Sequence, residues 1–564
     1  MISPISVSLH HWPWSVDVEN ESVPAKGDGI IFPFYGSPVI STTKGAQVLL
    51  AARYEKFIQL GPSLQNEVEV QEVPHGVLSK QGNGIGDITI LSNGKRWNLS
   101  IEANGAKRRL QDDGKSESPL ARMILGWSQF FDDLMEEKFS GHSHAGDVSW
   151  DVVLNFLNKQ RSELKKPRLS LIVRIAGALN NSLPKTVSGM RRILLRQRNM
   201  QRICRIRETD IRCLQWYVRQ SGANMAEKGG RRQELLAVVR QESFDVVENR
   251  VLKDFLQRCD TESLRYINSE VDINPQFVGS KRAQNVRRFR EICAQSLKSQ
   301  NFEGIPAART KVRPNYVLQN DLRYRNIWKW YCRLLRREEQ EDRFWDWQAR
   351  TWTDIVRLLL NSAFIFLESM GSPINGVHIR QLLGSSLNVT REQVLGSRTR
   401  GGTEPGPFVI ERYSNNKSRP IAILEVVHPD GANEHSFVKN LGRTGGHLYV
   451  VVRPLGKNTI RNHVLIVWGV NTAGTSQDVP SEDISKSAAD ALTFHQNVLA
   501  ATRIPNLPIL HGLVANSVLT ADDSDVLCED SNAPIVITPS DPRHWYDVVE
   551  FFAFLLNDWL NKTV

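Results

Sequence analysis

Two glycine-flanked turns carry side chains that can exchange a proton. Glu404 lies in the segment RTRGGTEPG and His447 lies in RTGGHLYVVVRP. Glycine lets a backbone approach a ligand or phosphate closely, and a carboxylate facing an imidazole can serve as acid and base. The same residues also fit two structural turns, with an exposed glutamate and a histidine satisfied by hydrogen bonds. Both interpretations stay open at the level of sequence.

The densest basic stretch runs from Lys185 to Arg219, and nine of its ten basic residues are arginine. A guanidinium presents a planar set of donors that suits phosphate oxygens. Interleaved Ile193, Leu194 and Ile203 predict a helix with one buried stripe and an outward arginine face. Such a face favours salt-sensitive, sequence-independent DNA contact, the alternatives being a solvated surface or a site for an acidic protein. The residues expected to contact DNA here are Arg191, Arg192, Arg196, Arg198, Arg202 and Arg205.

The overall charge of the chain points in the same direction. The formal net charge is +10 and the isoelectric point is about 9.3, which favours a polyanionic partner such as nucleic acid or an acidic membrane. A membrane surface is disfavoured because the basic stretch has few aromatic residues on its apolar side. A second basic cluster adds to the expected DNA surface and contains Lys281, Arg282, Arg287, Arg288 and Arg290.

Several common classes of protein lack support in this sequence. The 6 cysteines form no C-x-x-C pair, which argues against a zinc ribbon or a thioredoxin-type motif. The N-terminus has no basic segment followed by an apolar run, and the most apolar helical stretch, residues 355–367, is too short to span a bilayer. We therefore expect a cytoplasmic protein with no membrane partner.

Patterning along the chain predicts an α+β fold. Short apolar segments between Gly, Pro and Asn residues predict a β-rich N-terminal module over residues 1–118. Helical periodicity then dominates a basic helical domain, 119–310, and a helical connector, 311–400. Residues 401–564 return to short Val- and Ile-rich runs, which predict a mixed sheet with a closing C-terminal helix.

Two helical segments carry the motifs of a known family. Residues 248–253 read ENRVLK, and residues 315–335 contain Tyr324-Arg325. In this order they resemble the ENR-x-x-K element and the YR helix of McrC-like anti-phage defence proteins, the partners of McrB-like AAA+ ATPases. The resemblance implies a helical domain ahead of a nuclease-like domain. The residues of the structural motif are Glu248, Asn249, Arg250, Lys253, Tyr324 and Arg325.

The spacing within this motif predicts an ionic network that locks helix packing. Glu248 and Arg250 do not share a helix face, whereas Arg250 and Asp254 are four residues apart and can pair.

The resemblance also implies a PD-(D/E)-x-K fold of the restriction-endonuclease type, in which two acids on neighbouring strands hold Mg²⁺ and a lysine assists water. Glu425 matches the second acid, and Val427 occupies the lysine position. The first acid is replaced by Pro405-Gly406, which leaves Glu404 and Glu411 as substitutes. Valine can neither bind a metal nor move a proton, so the site is degenerate. Side chains that could stand in for the lysine are Lys417, Lys439 and His428.

These observations predict a DNA-binding component of a bacterial anti-phage, restriction-like system that carries a degenerate nuclease-like domain. Since the chain has no nucleotide-binding loop, a separate AAA+ or other NTPase would supply energy. One alternative is an active, Mg-dependent DNA endonuclease whose rearranged site draws on Glu404, Glu411, Glu425 and His447. Another is the Glu/His-signature component of a Zorya-type defence system, which the Glu404 and His447 turns resemble. A third alternative is a structural scaffold that never contacts DNA.

Overall fold

The computed structural model describes well over half of the chain. The described residues are 8–10, 12–14, 30–33, 39–43, 47–50, 68–72, 85–92, 95–104, 119–140, 150–308, 312–346, 348–375, 408–414, 419–427, 441, 444–456, 461–472, 480–501, 507–518 and 533–563.

Strands occur at both ends of the chain, and two further strands lie in its middle. They are β1 (Ser8–His10), β2 (Ile30–Pro33), β3 (Val39–Thr43), β4 (Gln47–Leu50), β5 (Val68–Glu72), β6 (Ile85–Ser92), β7 (Lys95–Asn104), β8 (Ile193–Arg202), β9 (Glu234–Ser243), β10 (Ile374–Asn375), β11 (Phe408–Tyr413), β12 (Pro420–Val427), β13 (Leu448–Pro454), β14 (His463–Asn471), β15 (Ile509–Val518) and β16 (Ile535–Pro539).

Helices dominate the middle of the chain. They are α1 (Pro119–Ser140), α2 (Trp150–Ser162), α3 (Leu171–Leu179), α4 (Leu183–Ser188), α5 (Ile211–Arg219), α6 (Met225–Lys228), α7 (Val247–Tyr266), α8 (Lys281–Leu297), α9 (Tyr316–Asn320), α10 (Leu322–Asp346), α11 (Gln348–Ser369), α12 (Ser481–Ala501) and α13 (Trp545–Thr563). Among the described helices, none combines the length and apolarity needed to cross a membrane.

The α+β prediction is confirmed. The chain divides into two compact units, one formed by Met1–Lys166 with Glu339–Val564 and the other by Pro167–Glu338. At the N-terminus, three strands pair in the order β1-β3-β5 and four in the order β2-β7-β6-β4. The four-part division at residues 118, 310 and 400 stays a prediction.

A seven-stranded mixed sheet organises the C-terminal part of the first unit. Its strands follow chain order from β10 to β16, antiparallel up to β14 and parallel from β14 to β16. Helix α12 supplies the crossover that a parallel β14–β15 pair requires. Nearly every residue of β14 is buried, which explains its unbroken apolar run.

The two faces of this sheet support separate hydrophobic cores. Alternation along a strand sends Leu424 and Val452 to one face, where α1, α11 and α13 pack. The intervening Val451 and Val427 reach the other face and join residues of α12. Both cores contain fully buried tryptophans, Trp352 in the first and Trp468 in the second.

A short N-terminal segment packs against the second core. The Trp12 and Trp14 rings stack with centroids 5.4 Å apart, and Trp14 also meets the edge of Trp468 at 5.4 Å. The Trp14 indole donates a 3.0 Å hydrogen bond to the Ser487 hydroxyl. The segment therefore belongs to the packing of the C-terminal sheet, although more than 400 residues separate it from Trp468 in sequence.

The second unit is a helical cluster that carries a two-stranded ribbon. Helices α3, α7, α8 and α10 enclose a core that includes Phe255, Phe289 and Tyr331. Strands β8 and β9 pair antiparallel, with Ile193 opposite Ser243 at one end and Arg202 opposite Glu234 at the other. Their connection contains α5 and α6.

The helix predicted for the arginine stretch was wrong over β8. Arg196 and Arg198 are two residues apart, a spacing that places them on one face of a strand but not of a helix. Pairing with the Leu- and Val-rich β9 decides the outcome, because strand formation depends on cross-strand partners more than on local propensity. The arginines therefore lie on a β-ribbon.

Candidate functional site

The base of the ribbon is held by one buried asparagine of the ENRVLK segment. The Asn249 side-chain amide donates 2.7 Å hydrogen bonds to the backbone oxygens of Arg191 and Phe244. These two residues lie just before β8 and just after β9, so Asn249 bridges the two legs. Its Oδ1 accepts a 2.7 Å hydrogen bond from the hydroxyl of Tyr324.

Tyr324 completes the clamp. Its hydroxyl accepts a 3.0 Å hydrogen bond from the Arg191 backbone N–H while donating to Asn249. Burial raises the pKa of the Tyr324 phenol, which keeps the donated proton in place. Asn249 and Tyr324 are almost fully buried, so the hydrogen bonds they make are shielded from water.

Glu248 anchors the same strand through charge. This buried carboxylate accepts hydrogen bonds from the Arg191 guanidinium and, at 3.0 Å, from the Asn315 side chain. A buried carboxylate is tolerated when it is paired and hydrogen-bonded, and both conditions are met here. Backbone and side chain of Arg191 are thus fixed together at the start of the ribbon.

The remaining motif residues have separate partners. Arg250 binds Asp245 through two hydrogen bonds of 2.6 and 2.8 Å, so the expected pair with Asp254 was wrong. Asp254 instead accepts from Arg258 and Tyr331. The Lys253 ammonium donates to the backbone oxygens of Phe302 and Ile305, at 3.3 and 2.5 Å, and Arg325 is exposed.

One face of the ribbon is rich in arginine. Arg196, Arg198 and Arg202 alternate along β8, and Arg240 of β9 lies directly opposite Arg196. Like charges that face each other across strands repel. Glu208 relieves this repulsion because its carboxylate contacts both Arg196 and Arg240, the second at 3.0 Å.

Four of the six arginines predicted to contact DNA are in ion pairs with acidic residues of the same unit. Asp210, the partner of Arg198, also caps α5, because its carboxylate accepts a hydrogen bond from the Cys213 N–H. The hydrogen bond from Arg198 is the main reason that the pKa of the Asp210 carboxyl lies far below its usual range. All four guanidinium groups remain substantially exposed. The pairs are Arg191 with Glu248, Arg192 with Glu242, Arg196 with Glu208 and Arg198 with Asp210.

The other two predicted arginines differ. Arg202 and Arg205 are exposed, and no acidic oxygen in the described part of the chain lies within 4.0 Å of either guanidinium. Arg202 ends β8, and Arg205 lies in the helical turn Ile203–Arg205 that follows. The uncompensated positive charge therefore lies at the end of the ribbon away from Asn249.

The second basic cluster is partly engaged. Arg282 donates to the Pro167 backbone oxygen at 2.6 Å. Arg287 approaches Asp272 at 3.6 Å and Arg290 approaches Asp260 at 3.4 Å. Lys281 and Arg288 are exposed on α8, two helical turns apart, without an acidic partner among the described residues.

The two described acids that were predicted to belong to a nuclease-like site share a sheet face. Glu411 of β11 lies opposite Ile423, and Glu425 lies two residues further along β12. Residues in this diagonal relation are about 7–8 Å apart. Each carboxylate has a protein partner: the Tyr413 hydroxyl donates to Glu411 at 2.7 Å, and the Arg453 guanidinium donates to Glu425 at 3.0 Å.

This arrangement does not fit a magnesium site of the implied type. Val427, at the lysine position, is buried in the core with α12 and cannot reach a reacting phosphate. Arg453 places positive charge on the carboxylate that would bind the metal. Throughout the described ranges, no group of three or more His, Cys, Asp or Glu side chains is arranged to hold a metal ion.

His447 is engaged inside the protein. Its Nδ1 accepts a 2.9 Å hydrogen bond from the Gly469 N–H, and burial lowers its pKa to about 4. The preceding Gly445 has φ of 63°, and a Cβ there would lie 1.5 Å from the Pro13 carbonyl oxygen. The group that approaches Gly445 closely is therefore the Pro13 backbone of the same chain. Glu404, Lys417, His428 and Lys439 lie outside the described residues.

One titratable pair was missed at the level of sequence. His463 Nδ1 and His511 Nε2 are 3.0 Å apart on the neighbouring strands β14 and β15, and the Trp559 ring lies 5.7 Å from that of His511. Burial and the neighbouring imidazole lower the pKa of His511 to about 4. The two histidines are 48 residues apart, so no local spacing signals their contact.

Comparison with known proteins gives a family match in the middle of the chain. Residues 154–331 match the family described as "Domain of unknown function (DUF2357)". Among curated proteins, none matches. A solved structure described as a half-complex of Thermococcus gammatolerans McrB AAA+ hexamers with bound McrC aligns over 89% of this chain and 86% of its own, with 9% identity and a TM-score of 0.20.

Proposed function

We propose that this chain is the DNA-binding component of a bacterial anti-phage defence system and acts with a separate NTPase. The arginine face of the β8–β9 ribbon carries this proposal. A two-stranded ribbon fits the major groove of DNA, and guanidinium groups suit phosphate oxygens and base edges. Arg202 ends β8 and Arg205 lies in the turn that follows, and both are exposed without an acidic partner among the residues that the structure describes.

The ion pairs nearer the base of the ribbon limit which arginines can contact DNA, but they are compatible with DNA binding. Exposed pairs such as Arg192 with Glu242 contribute about 0–1 kcal/mol, so a phosphate can replace the carboxylate at modest cost. Arg191 is different, because its partner Glu248 is buried and the pair holds the ribbon. We therefore assign Arg191 to positioning, and Arg202 and Arg205 to DNA contact.

The nuclease-like domain is proposed to lack standard metal-dependent catalysis. The Arg453 contact with Glu425 and the burial of Val427 support this view. The ENRVLK and Tyr324-Arg325 elements support a defence context through their resemblance to McrC-like proteins, and an NTPase partner follows from that resemblance.

DNA binding is tested by fluorescence anisotropy with a short labelled duplex over a range of KCl concentrations. In the Arg202→Ala/Arg205→Ala variant, the Kd should rise about tenfold or more at low salt. The slope of log K against log salt should flatten by about 1 for each phosphate that the variant no longer neutralises.

The matched control is Arg325→Ala/Lys329→Ala, which removes two exposed charges from α10. It should leave the affinity within about twofold, since surface charges away from the contact act only weakly at a distance. Equal losses in both variants would reduce the effect to net charge. Absence of DNA binding by the wild-type protein would overturn the assignment.

A further inference from the structure

Helix α5 presents an apolar stripe to solvent. Ile211, Leu214 and Val218 are 75%, 54% and 74% exposed. Their spacing of three and four residues places them along one side of the helix. The inward side is taken by Cys213, which is fully buried. An amphipathic helix normally turns its apolar stripe towards the core, and α5 does the opposite with these residues.

Basic side chains flank this stripe on both sides. Arg212 and Arg219 lie seven residues apart on one flank, exposed and with no acidic partner in the described part of the chain. On the other flank, the Lys228 ammonium lies 4.5 Å from the centre of the Tyr217 ring. The helix itself contains no acidic residue, and its N-cap Asp210 is bound to Arg198.

We propose that α5 is a docking site for an acidic amphipathic helix of a partner protein. Such a helix would bury its own apolar stripe against Ile211, Leu214 and Val218, and acidic residues beside that stripe would meet Arg212, Arg219 and Lys228. Helix-on-helix recognition through apolar positions at this spacing is a common mode of binding, and complementary charge at the edges fixes orientation.

The chemistry of the surface disfavours two other occupants. A second copy of this chain would place Arg212 and Arg219 against the same positive residues. A DNA backbone offers phosphate to the arginines but no apolar surface to Ile211 and Val218. The docking site is independent of the proposed DNA contact, which uses Arg202 and Arg205.

The proposal is tested with the full chain and three labelled synthetic helical peptides of about 18 residues. The first carries leucine at helical spacing between flanking glutamates, the second replaces glutamate by lysine, and the third replaces leucine by serine. Fluorescence anisotropy should show saturable binding of the first, with the other two at least about tenfold weaker.

Two double variants assign the binding to α5. Ile211→Ser/Val218→Ser should weaken binding of the first peptide at least about tenfold, since apolar anchors dominate such contacts. Arg212→Glu/Arg219→Glu should reverse the preference, so that the lysine peptide binds better than the glutamate peptide. Both pairs are exposed, so thermal unfolding should stay close to that of the wild-type protein.

Three results would overturn the proposal. The first is equal binding of all three peptides, or no saturable binding of any. The second is an affinity that neither double variant changes. The third is competition in which duplex DNA displaces the peptide and Ile211→Ser/Val218→Ser weakens DNA binding to the same degree, which would make α5 a nucleic-acid surface. Loss of DNA binding in Arg202→Ala/Arg205→Ala alone would leave the docking site standing.

Discussion

Asn249 and Tyr324, 75 residues apart in sequence, form a buried 2.7 Å hydrogen bond that fixes the base of the arginine ribbon. Around it, the asparagine amide holds the backbone on both sides, at Arg191 before β8 and at Phe244 after β9. Asn249 of ENRVLK and Tyr324 of the Tyr324-Arg325 pair thus share one structural task. They determine where the ribbon leaves the helical core.

The Asn249→Ala substitution should both destabilise the second unit and loosen the ribbon. It removes three hydrogen bonds, takes the donor away from the backbone oxygens of Arg191 and Phe244, and leaves the buried Tyr324 hydroxyl without its acceptor. A buried group left unsatisfied costs about 1–3 kcal/mol and each lost hydrogen bond about 1 kcal/mol, so we expect a loss of about 2–3 kcal/mol in the free energy of unfolding. Tyr324→Phe should cost less, about 1–2 kcal/mol.

Urea denaturation measures the first effect and amide hydrogen exchange of β8 and β9 the second. Arg325→Ala is the matched control on the neighbouring exposed residue, and it should change stability by less than about 0.5 kcal/mol. A wild-type exchange pattern in β8 and β9 of Asn249→Ala would refute the clamp.

Under the proposed DNA-binding function, removal of one glutamate should strengthen the binding of duplex DNA. Glu208 contacts both Arg196 and Arg240, so Glu208→Gln takes a competing negative charge away from two guanidinium groups on one ribbon face. We expect a several-fold lower Kd for duplex DNA at low salt and a steeper salt dependence. Glu303→Gln makes the same change of charge at an exposed site in the same unit and should have little effect. Weaker binding in Glu208→Gln would mean that the ion pairs preorganise the surface.

Prediction of the fold from the sequence succeeded where buried patterns repeat within one element. The unbroken apolar run of β14 and the order of strands, helices and strands were sufficient for the α+β prediction. It failed on β8, because the partner strand β9 begins more than thirty residues later and decides the backbone conformation. Acidic partners such as Glu242 were missed for the same reason.

The protein should show no magnesium-dependent cleavage of plasmid DNA. The Glu425 carboxylate is held by Arg453, and Val427 is buried in the position that would need a lysine. Incubation of the pure protein with supercoiled plasmid and Mg²⁺ or Mn²⁺ should leave the supercoiled form intact. Cleavage that disappears in Glu425→Ala would establish the rearranged endonuclease instead. Arg419→Ala, an exposed change in the same unit, serves as control for that result.

Restoring the lysine by Val427→Lys should not restore activity. The new ammonium would replace a buried apolar group beside Tyr449 and α12, so the expected result is a loss of about 3 kcal/mol or more in stability. The sequence alone was sufficient to compare the motif residue by residue. It was not sufficient to predict the burial of Val427, because that burial depends on a helix more than fifty residues away.

The imidazole pair on β14 and β15 should make stability fall in mild acid. The folded-state pKa of His511 is about 4, below the ordinary value of 6.5, so the unfolded chain binds a proton more readily between these values. The free energy of unfolding should therefore be unaffected by this group above pH 6.5 and should fall as pH drops towards 4, by about 1–3 kcal/mol.

The test compares thermal unfolding at pH 7 and pH 4.5 in His511→Gln and in the wild-type protein. The variant should lose less stability over this range. His544→Gln is the control, since its imidazole forms no hydrogen bond in the described part of the chain. Equal losses in wild type and His511→Gln would exclude His511 as the cause.

Gly445→Ala should detach the N-terminal tryptophan segment from the C-terminal sheet. The glycine has φ of 63°, and a Cβ would lie 1.5 Å from the Pro13 carbonyl oxygen, so strain and collision act together. Gly371 has φ of 81° but open space around its Cβ position, and Gly371→Ala isolates the cost of the backbone conformation, about 1–2 kcal/mol. Gly445→Ala should cost clearly more, with faster hydrogen exchange in residues 8–14, because the collision must be relieved by moving Pro13. Equal destabilisation by the two substitutions, with unchanged exchange near Trp14, would show that this packing is not required for stability.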